Sequence, residues 1–189
     1  MELLFEQELK LRIFQHKTTM LMTDLANQYI ASQTQGEVNI PTFMTQEQAV
    51  QIASALGGLT IRNKSTGLPH LLSFSWFGRI EHGIAVARLL PAAWRYYIGR
   101  KAVETRTLEI GRTLGGSTAE EVIQNYEKLL DMWQVPRLSD YPELTAERFE
   151  QTCRSAGANR MKLELAPRPV PLESSEEILR NVLVNAMKN

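Results

Sequence analysis

The sequence predicts an all-α protein, a helical bundle. Three observations carry this. Apolar residues recur at three- and four-residue intervals along most of the chain. Ser/Thr-x-x-Glu/Gln pairs, prolines and glycines mark where those runs start and stop. No stretch alternates apolar and polar residues for long enough to make a useful strand, and no internal repeat is visible.

Residues 2–30 form one long or broken helical run, with Leu3, Leu4, Leu9, Ile13, Phe14, Met20, Leu21, Leu25, Tyr29 and Ile30 apolar; residues 36–41 break it. Thr45 with Gln48 opens a second helix whose stripe is Ala49, Ile52, Ala53, Leu56 and Leu59. Gly57-Gly58 at its end suits a close backbone approach. Residues 84–98 should be a buried helix, because Ile84 to Leu90 is almost wholly apolar, with Pro91 kinking or restarting it. Ser117 with Glu120 caps a further helix, striped by Val122, Ile123, Tyr126, Leu129, Leu130 and Trp133 and ended by Pro136. Thr145 opens a short helix carrying Phe149 and Cys153. Residues 166–171, with alternate prolines, make an extended linker. Ser174 with Glu177 caps the last helix, whose apolar face is Ile178, Leu179, Val182, Leu183 and Met187. The 189 residues are enough for one domain: a first helical segment at 1–30, a metal-site region at 45–112 and C-terminal helices at 117–189.

The 21 basic and 21 acidic residues cancel, which argues against general affinity for nucleic acid or an anionic membrane. No apolar run approaches a membrane span, and the acidic start (Glu2, Glu6) is unlike a secretory signal. The single cysteine, Cys153, excludes an internal disulfide, fits a reducing, cytoplasmic setting, and is expected in the core. Residues 88–112 are biased towards base (Arg88, Arg95, Arg100, Lys101, Arg106, Arg112 against Glu104 and Glu109), which is expected as a solvated helix face. Trp76, Trp94, Tyr96 and Tyr97 are expected to pack in a core or between domains.

The chain has only three histidines, and two stand in glycine-marked sites: Gly67-Leu68-Pro69-His70 and Glu81-His82-Gly83. Neutral imidazole is a common ligand for zinc and iron. Twelve residues along a straight helix would set the two side chains roughly 120° apart, so sharing a metal requires a turn between them. Gly78 offers one. Glu81 is expected as a first-turn acid near a helix N-terminus. His16 has Arg12 rather than a carboxylate four residues before it and is expected as a solvated helical histidine.

The run TGLPHLLSFSWFGRIEHGIAVARLLPAAWRYY resembles the metal-site region of iron-containing (group III) alcohol dehydrogenases, which share their architecture with dehydroquinate synthase-like proteins. Thr23-Asp24, then EQAVQIASALGGLTIRNKSTGLPH, resemble that family's middle helices, and NRMKLELAPRPVPLESSEEILRNVLVNAMK resembles its C-terminal end. The likeness extends over nearly all of the chain. It implies His70 and His82 as metal ligands, for Fe2+ or Zn2+, in a metal-dependent oxidoreductase family that interconverts alcohols and aldehydes with NAD(P). In the intact family the metal polarises the substrate oxygen while nicotinamide exchanges hydride.

The chain departs from the pattern in three places. It contains no G-x-G-x-x-G, and Leu114-Gly115-Gly116-Ser117 is expected as a plain helix N-terminus. The family's first two ligands, an Asp and a His four residues apart, would fall near Phe5 and Leu9; Glu2, Glu6 and Glu8 are the candidates to substitute. Phe74 stands where the dehydrogenases often carry a further histidine.

Three readings of His70 and His82 follow: functional ligands, vestiges of a lost site, or ordinary histidines. The function expected is that of an iron-containing alcohol dehydrogenase-like C-terminal domain, not active alone, with NAD(P) used only if a partner brings the nucleotide-binding domain. A degenerate, non-catalytic interaction or oligomerisation module is the alternative, and a dehydroquinate synthase-like lyase fragment a third. Phe5, Leu9, Phe74, Trp76 and Phe77 are expected on an exposed apolar face, which implies a homo-oligomer or a partner chain.

Overall fold

In the computed structural model the chain divides into two compact units, 1–64 and 65–189. The structure describes residues 48, 51, 52, 54, 55 and 65–188. The five described residues of the first unit are helical, inside the helix expected to open at Thr45. The expectations for residues 1–44, including His16 and the candidate acids Glu2, Glu6 and Glu8, lie outside the described residues, as do those for Gly57 and Gly58.

The second unit is all-α, with no strand among its described residues: α1 Leu68–Ser73, α2 His82–Tyr97, α3 Lys101–Leu114, α4 Ala119–Met132, α5 Ala146–Gly157, α6 Arg160–Glu164 and α7 Ser175–Ala186. Short 3-10 turns occupy Phe74–Trp76, Leu138–Asp140 and Leu172–Ser174. The apolar run before Pro91 explains why α2 is the central element. It packs against α1, α4 and α7, while α5 lies on α7 and α3 on α4. Leu68, Leu72, Trp76, Leu89, Ala93, Leu163, Leu179 and Leu183 form the main core, at most 1% exposed. Trp94, Val122 and Ile123 form a smaller one. Cys153 is fully buried, as its isolation suggested.

Pro91 does not restart α2; the helix runs through it. Its flanks, Leu89, Ala92 and Ala93, are buried in the core, and that packing offsets the hydrogen bond proline cannot make. The cap of α4 lies one residue beyond the expected place. Ser117-Thr118-Ala119-Glu120-Glu121 contains two overlapping capping boxes, and the structure uses Thr118 with Glu121. The Glu121 carboxylate accepts from the Ser117 and Thr118 amides, which holds its pKa below the ordinary range. Gly115 closes the C-terminus of α3, so the glycine pair expected as a helix N-terminus joins two helices. Thr145 caps α5 as expected, through the Arg148 amide. Ser174 stands at the N-cap of α7 but makes no side-chain cap; Ser175 instead donates to the Leu172 carbonyl at 2.9 Å. The proline linker is tied down. Arg168 donates to the Tyr96 carbonyl at 3.0 Å and lies over the Tyr96 ring, while Tyr96 donates back to the Pro169 carbonyl at 3.0 Å.

The basic bias of residues 88–112 is not one solvated face. Arg88 is 2% exposed. Its guanidinium donates to Asp131 Oδ1 at 3.0 Å and to the carbonyls of Val135 and Pro136. Arg95 lies between Glu120 and Glu127 and lowers the pKa of Glu120. The end of α4 that Arg88 grips is a Schellman turn: Val135 N–H bonds the Leu130 carbonyl and Gln134 N–H the Asp131 carbonyl, both at 3.0 Å. Gln134 takes the left-handed position, with φ 53°, where glycine carries no Cβ penalty. Gln134→Gly should therefore stabilise the protein by about 0.5–1 kcal/mol. A urea midpoint that falls instead would contradict this account of the turn.

Candidate metal centre

His70 and His82 are brought together. His70 lies in α1 and His82 is the first residue of α2. The chain reverses between them through the 3-10 turn and Gly78, whose φ of 78° is the left-handed conformation that glycine adopts freely. The ring centres end 5.1 Å apart, edge to face.

Tyr97 locks α1 in place. The first turn of a helix has unsatisfied amides, and Gly67 has no side chain to cap them. Pro69 removes one such amide by having no N–H. The Leu68 amide donates instead to the buried Tyr97 phenol, at 2.8 Å. A Cβ at Gly67 would stand 2.9 Å from that phenol oxygen. Gly67→Ala must therefore push Tyr97 aside, and a loss of about 1–3 kcal/mol is expected, read by chemical denaturation. An unchanged midpoint would mean that the phenol is not what fixes the start of α1. Burial pushes the Tyr97 phenol pKa up to about 12.

Around the two imidazoles stand Ser73, Phe74, Phe77 and Lys162. The Ser73 hydroxyl donates to the His70 carbonyl at 3.0 Å and lies 3.2 Å from His82 Nδ1. Phe77 packs on the His82 ring, with centres 4.9 Å apart, and stacks with Phe74. Lys162 donates to Thr66 Oγ1 and its ammonium lies over the Phe74 ring. Burial, then the neighbouring His82 and Lys162, lowers the His70 pKa. His70 therefore stays neutral, with a free lone pair, at neutral pH. Of the residues expected on an exposed apolar face, Phe74 and Phe77 are 42% and 55% exposed, but Trp76 is buried and donates to Thr152 in α5 at 3.1 Å. Glu81 is the N-cap residue of α2 rather than a first-turn acid, and its carboxylate accepts from Tyr141 at 3.4 Å.

Two imidazoles on one ion, each with a nitrogen about 2.1 Å from the metal and a near-tetrahedral angle between them, place their ring centres roughly 5 Å apart. The observed spacing fits that arrangement, and the donor type fits iron or zinc. Among the described residues, no group of three or more His, Cys, Asp or Glu side chains lies together in a way that could hold a metal. The described structure thus offers two donors. Sequence reasoning missed Ser73 and Tyr97 as their supports. Ser73 could have been found, since it lies one helical turn after His70; Tyr97 comes from the far end of another helix and leaves no local signal.

A sequence profile of the Fe-containing alcohol dehydrogenase family, C-terminal part, matches residues 16–183. The chain belongs to this family. An alcohol dehydrogenase from Thermococcus barophilus is 32% identical over 91 residues, which are 48% of this chain and 24% of that protein. An iron-containing alcohol dehydrogenase from Thermococcus thioreducens, solved in a tetragonal crystal form, superposes with a TM-score of 0.63 at 21% identity, over 94% of this chain and 43% of that one. At that identity the likeness establishes the fold. The chain therefore spans less than half the length of the iron-containing alcohol dehydrogenase it superposes on. The all-α expectation and the family resemblance both hold. No helix among the described residues is long and apolar enough to cross a membrane.

Proposed function

We propose that His70 and His82 hold a divalent metal, Fe2+ or Zn2+, and that the chain is the metal-bearing helical part of an NAD(P)-linked alcohol or aldehyde oxidoreductase. The observation that carries this reading is the pair of imidazoles at 5.1 Å, one on each side of a glycine turn, in a chain of the Fe-containing alcohol dehydrogenase family. When bound, a metal there supplies Lewis-acid polarisation of a substrate oxygen. The protein's own part is to keep His70 neutral and both rings oriented. Burial and Lys162 favour the neutral form of His70, and Ser73 and Phe77 fix the plane of the His82 ring. The exposed Phe74 and Phe77 beside the pair form an apolar surface suited to a substrate or to a partner that brings the cofactor.

The 189-residue chain by itself is expected not to turn over alcohols, since it carries no glycine-rich dinucleotide fingerprint. Incubation of the metal-loaded chain with NAD+ or NADP+ and a panel of primary alcohols should show no reduced nicotinamide at 340 nm. Sustained production would contradict that part of the proposal. A second reading, a non-catalytic interaction module that keeps the histidines as vestiges, is favoured by Phe5 and Leu9 standing near the positions of the family's first two ligands. Metal content separates the two.

A further inference from the structure

The geometry points to Ser73 as a positioning residue: its hydroxyl holds His82 in the Nδ1–H tautomer and leaves the Nε2 lone pair as the metal donor. This rests on the metal reading above.

A serine hydroxyl has one proton and two acceptor lone pairs. Ser73 closes α1, and its proton is taken by the His70 carbonyl one turn back, at 3.0 Å, a common bond for a serine at a helix end. The same oxygen lies 3.2 Å from His82 Nδ1. With its only proton committed, the oxygen can meet that nitrogen only as an acceptor, so Nδ1 must carry the hydrogen. The reverse assignment has a clear cost. If the hydroxyl turned to donate to Nδ1, its bare lone pairs would face the carbonyl oxygen at 3.0 Å. Ser73 is 1% exposed, so bulk water is not available to relieve that repulsion. In the Nδ1–H form the hydroxyl, the His70 carbonyl and Nδ1 are all paired, and Nε2, the other ring nitrogen, is deprotonated. Hydrogen bonding at one imidazole nitrogen in this way sets which nitrogen binds a metal. One hydroxyl therefore ties the backbone of one candidate ligand to the ring of the other.

The test uses the full chain labelled with 15N-histidine, metal-free, at a fixed pH where His82 is neutral. Long-range 1H–15N correlations should show Nδ1–H for His82 in the wild type. Ser73→Ala should move His82 towards Nε2–H, and Ser73→Thr, which keeps the hydroxyl, should retain the wild-type pattern. In the same samples Co2+ is titrated and followed by visible absorption. Ser73→Ala should weaken cobalt binding by about 10–100-fold, while Ser73→Thr stays close to wild type. An Nε2–H pattern in the wild type would overturn the proposal. So would a Ser73→Ala variant with unchanged tautomer and unchanged affinity. Wild-type protein that shows Nδ1–H but takes up no cobalt would contradict the metal reading alone, leaving the role of Ser73 in the tautomer intact.

Discussion

Replacing Arg88 with methionine should lower the unfolding free energy by about 3 kcal/mol. Methionine fills similar space, so the loss is mainly of polar contacts. Three guanidinium nitrogens bond Asp131 and the carbonyls of Val135 and Pro136, just past the end of α4. Without them, carbonyls packed around a 2%-exposed side chain lose charged donors. Asp131 is half-exposed and can return to water, which keeps the cost below that of stranding a buried charge. For a chain of this length the expected fall in Tm is roughly 6–12 °C. Arg88→Lys should recover little, because an ammonium cannot reproduce the planar fork. Arg106→Ala is the control: its pair with Glu109 is solvent-exposed and should change stability by less than about 0.5 kcal/mol. An Arg88→Met variant as stable as wild type would mean that the guanidinium does not secure this helix end.

Tyr97→Phe should cost about 1–3 kcal/mol near neutral pH, because the Leu68 amide loses its acceptor. That gap should narrow at high pH. The folded phenol titrates at about 12, against 10 for an ordinary tyrosine. A raised pKa stabilises the fold fully below pH 10 and is lost as the pH rises to 12. Two units correspond to about 2.7 kcal/mol, of which about half is gone by pH 11. Wild type should therefore lose stability between pH 8 and 11 faster than the variant does, by urea unfolding at each pH. Tyr126 and Tyr141 also have raised pKa values and contribute to both proteins alike, whereas Tyr96 packs on Tyr97 and raises its pKa, so the comparison is made in a Tyr96→Phe background. Parallel pH profiles would contradict the buried-phenol account of how α1 is anchored.

Much of the fold was legible because helix periodicity and stop signals act locally. The Thr145 cap, the apolar run of α2 and the stripes of α4 and α7 all lie within a few residues of their cause. The Ser117 cap failed by one residue because two capping boxes overlap, and spacing alone does not rank them. Arg88 was misplaced for an avoidable reason. A single charge inside the apolar run from Ile84 to Leu90 must be buried and paired, and that pattern outweighs the basic bias of the longer segment. Trp76 was expected both in a core and beside Phe74 and Phe77 on an exposed face; the core expectation holds, and the indole donates to Thr152, 76 residues on. No local pattern encodes that contact. At the candidate centre the spacing of His70 and His82 and the glycine between them pointed to a turn, and the turn is there. What the sequence alone withheld was the phenol under α1; the Ser73 hydroxyl, between the His70 carbonyl and the His82 ring, was within reach of the spacing but overlooked.

The central claim, a metal held by His70 and His82, is tested most directly by elemental mass spectrometry. Purified wild type and a His70→Ala/His82→Ala double variant would be compared after dialysis. Near-stoichiometric iron or zinc in the wild type, absent from the variant, is the result expected. No metal in the wild type, or equal metal in both, would contradict the claim and leave the chain as a helical module of the alcohol dehydrogenase family whose histidines no longer bind.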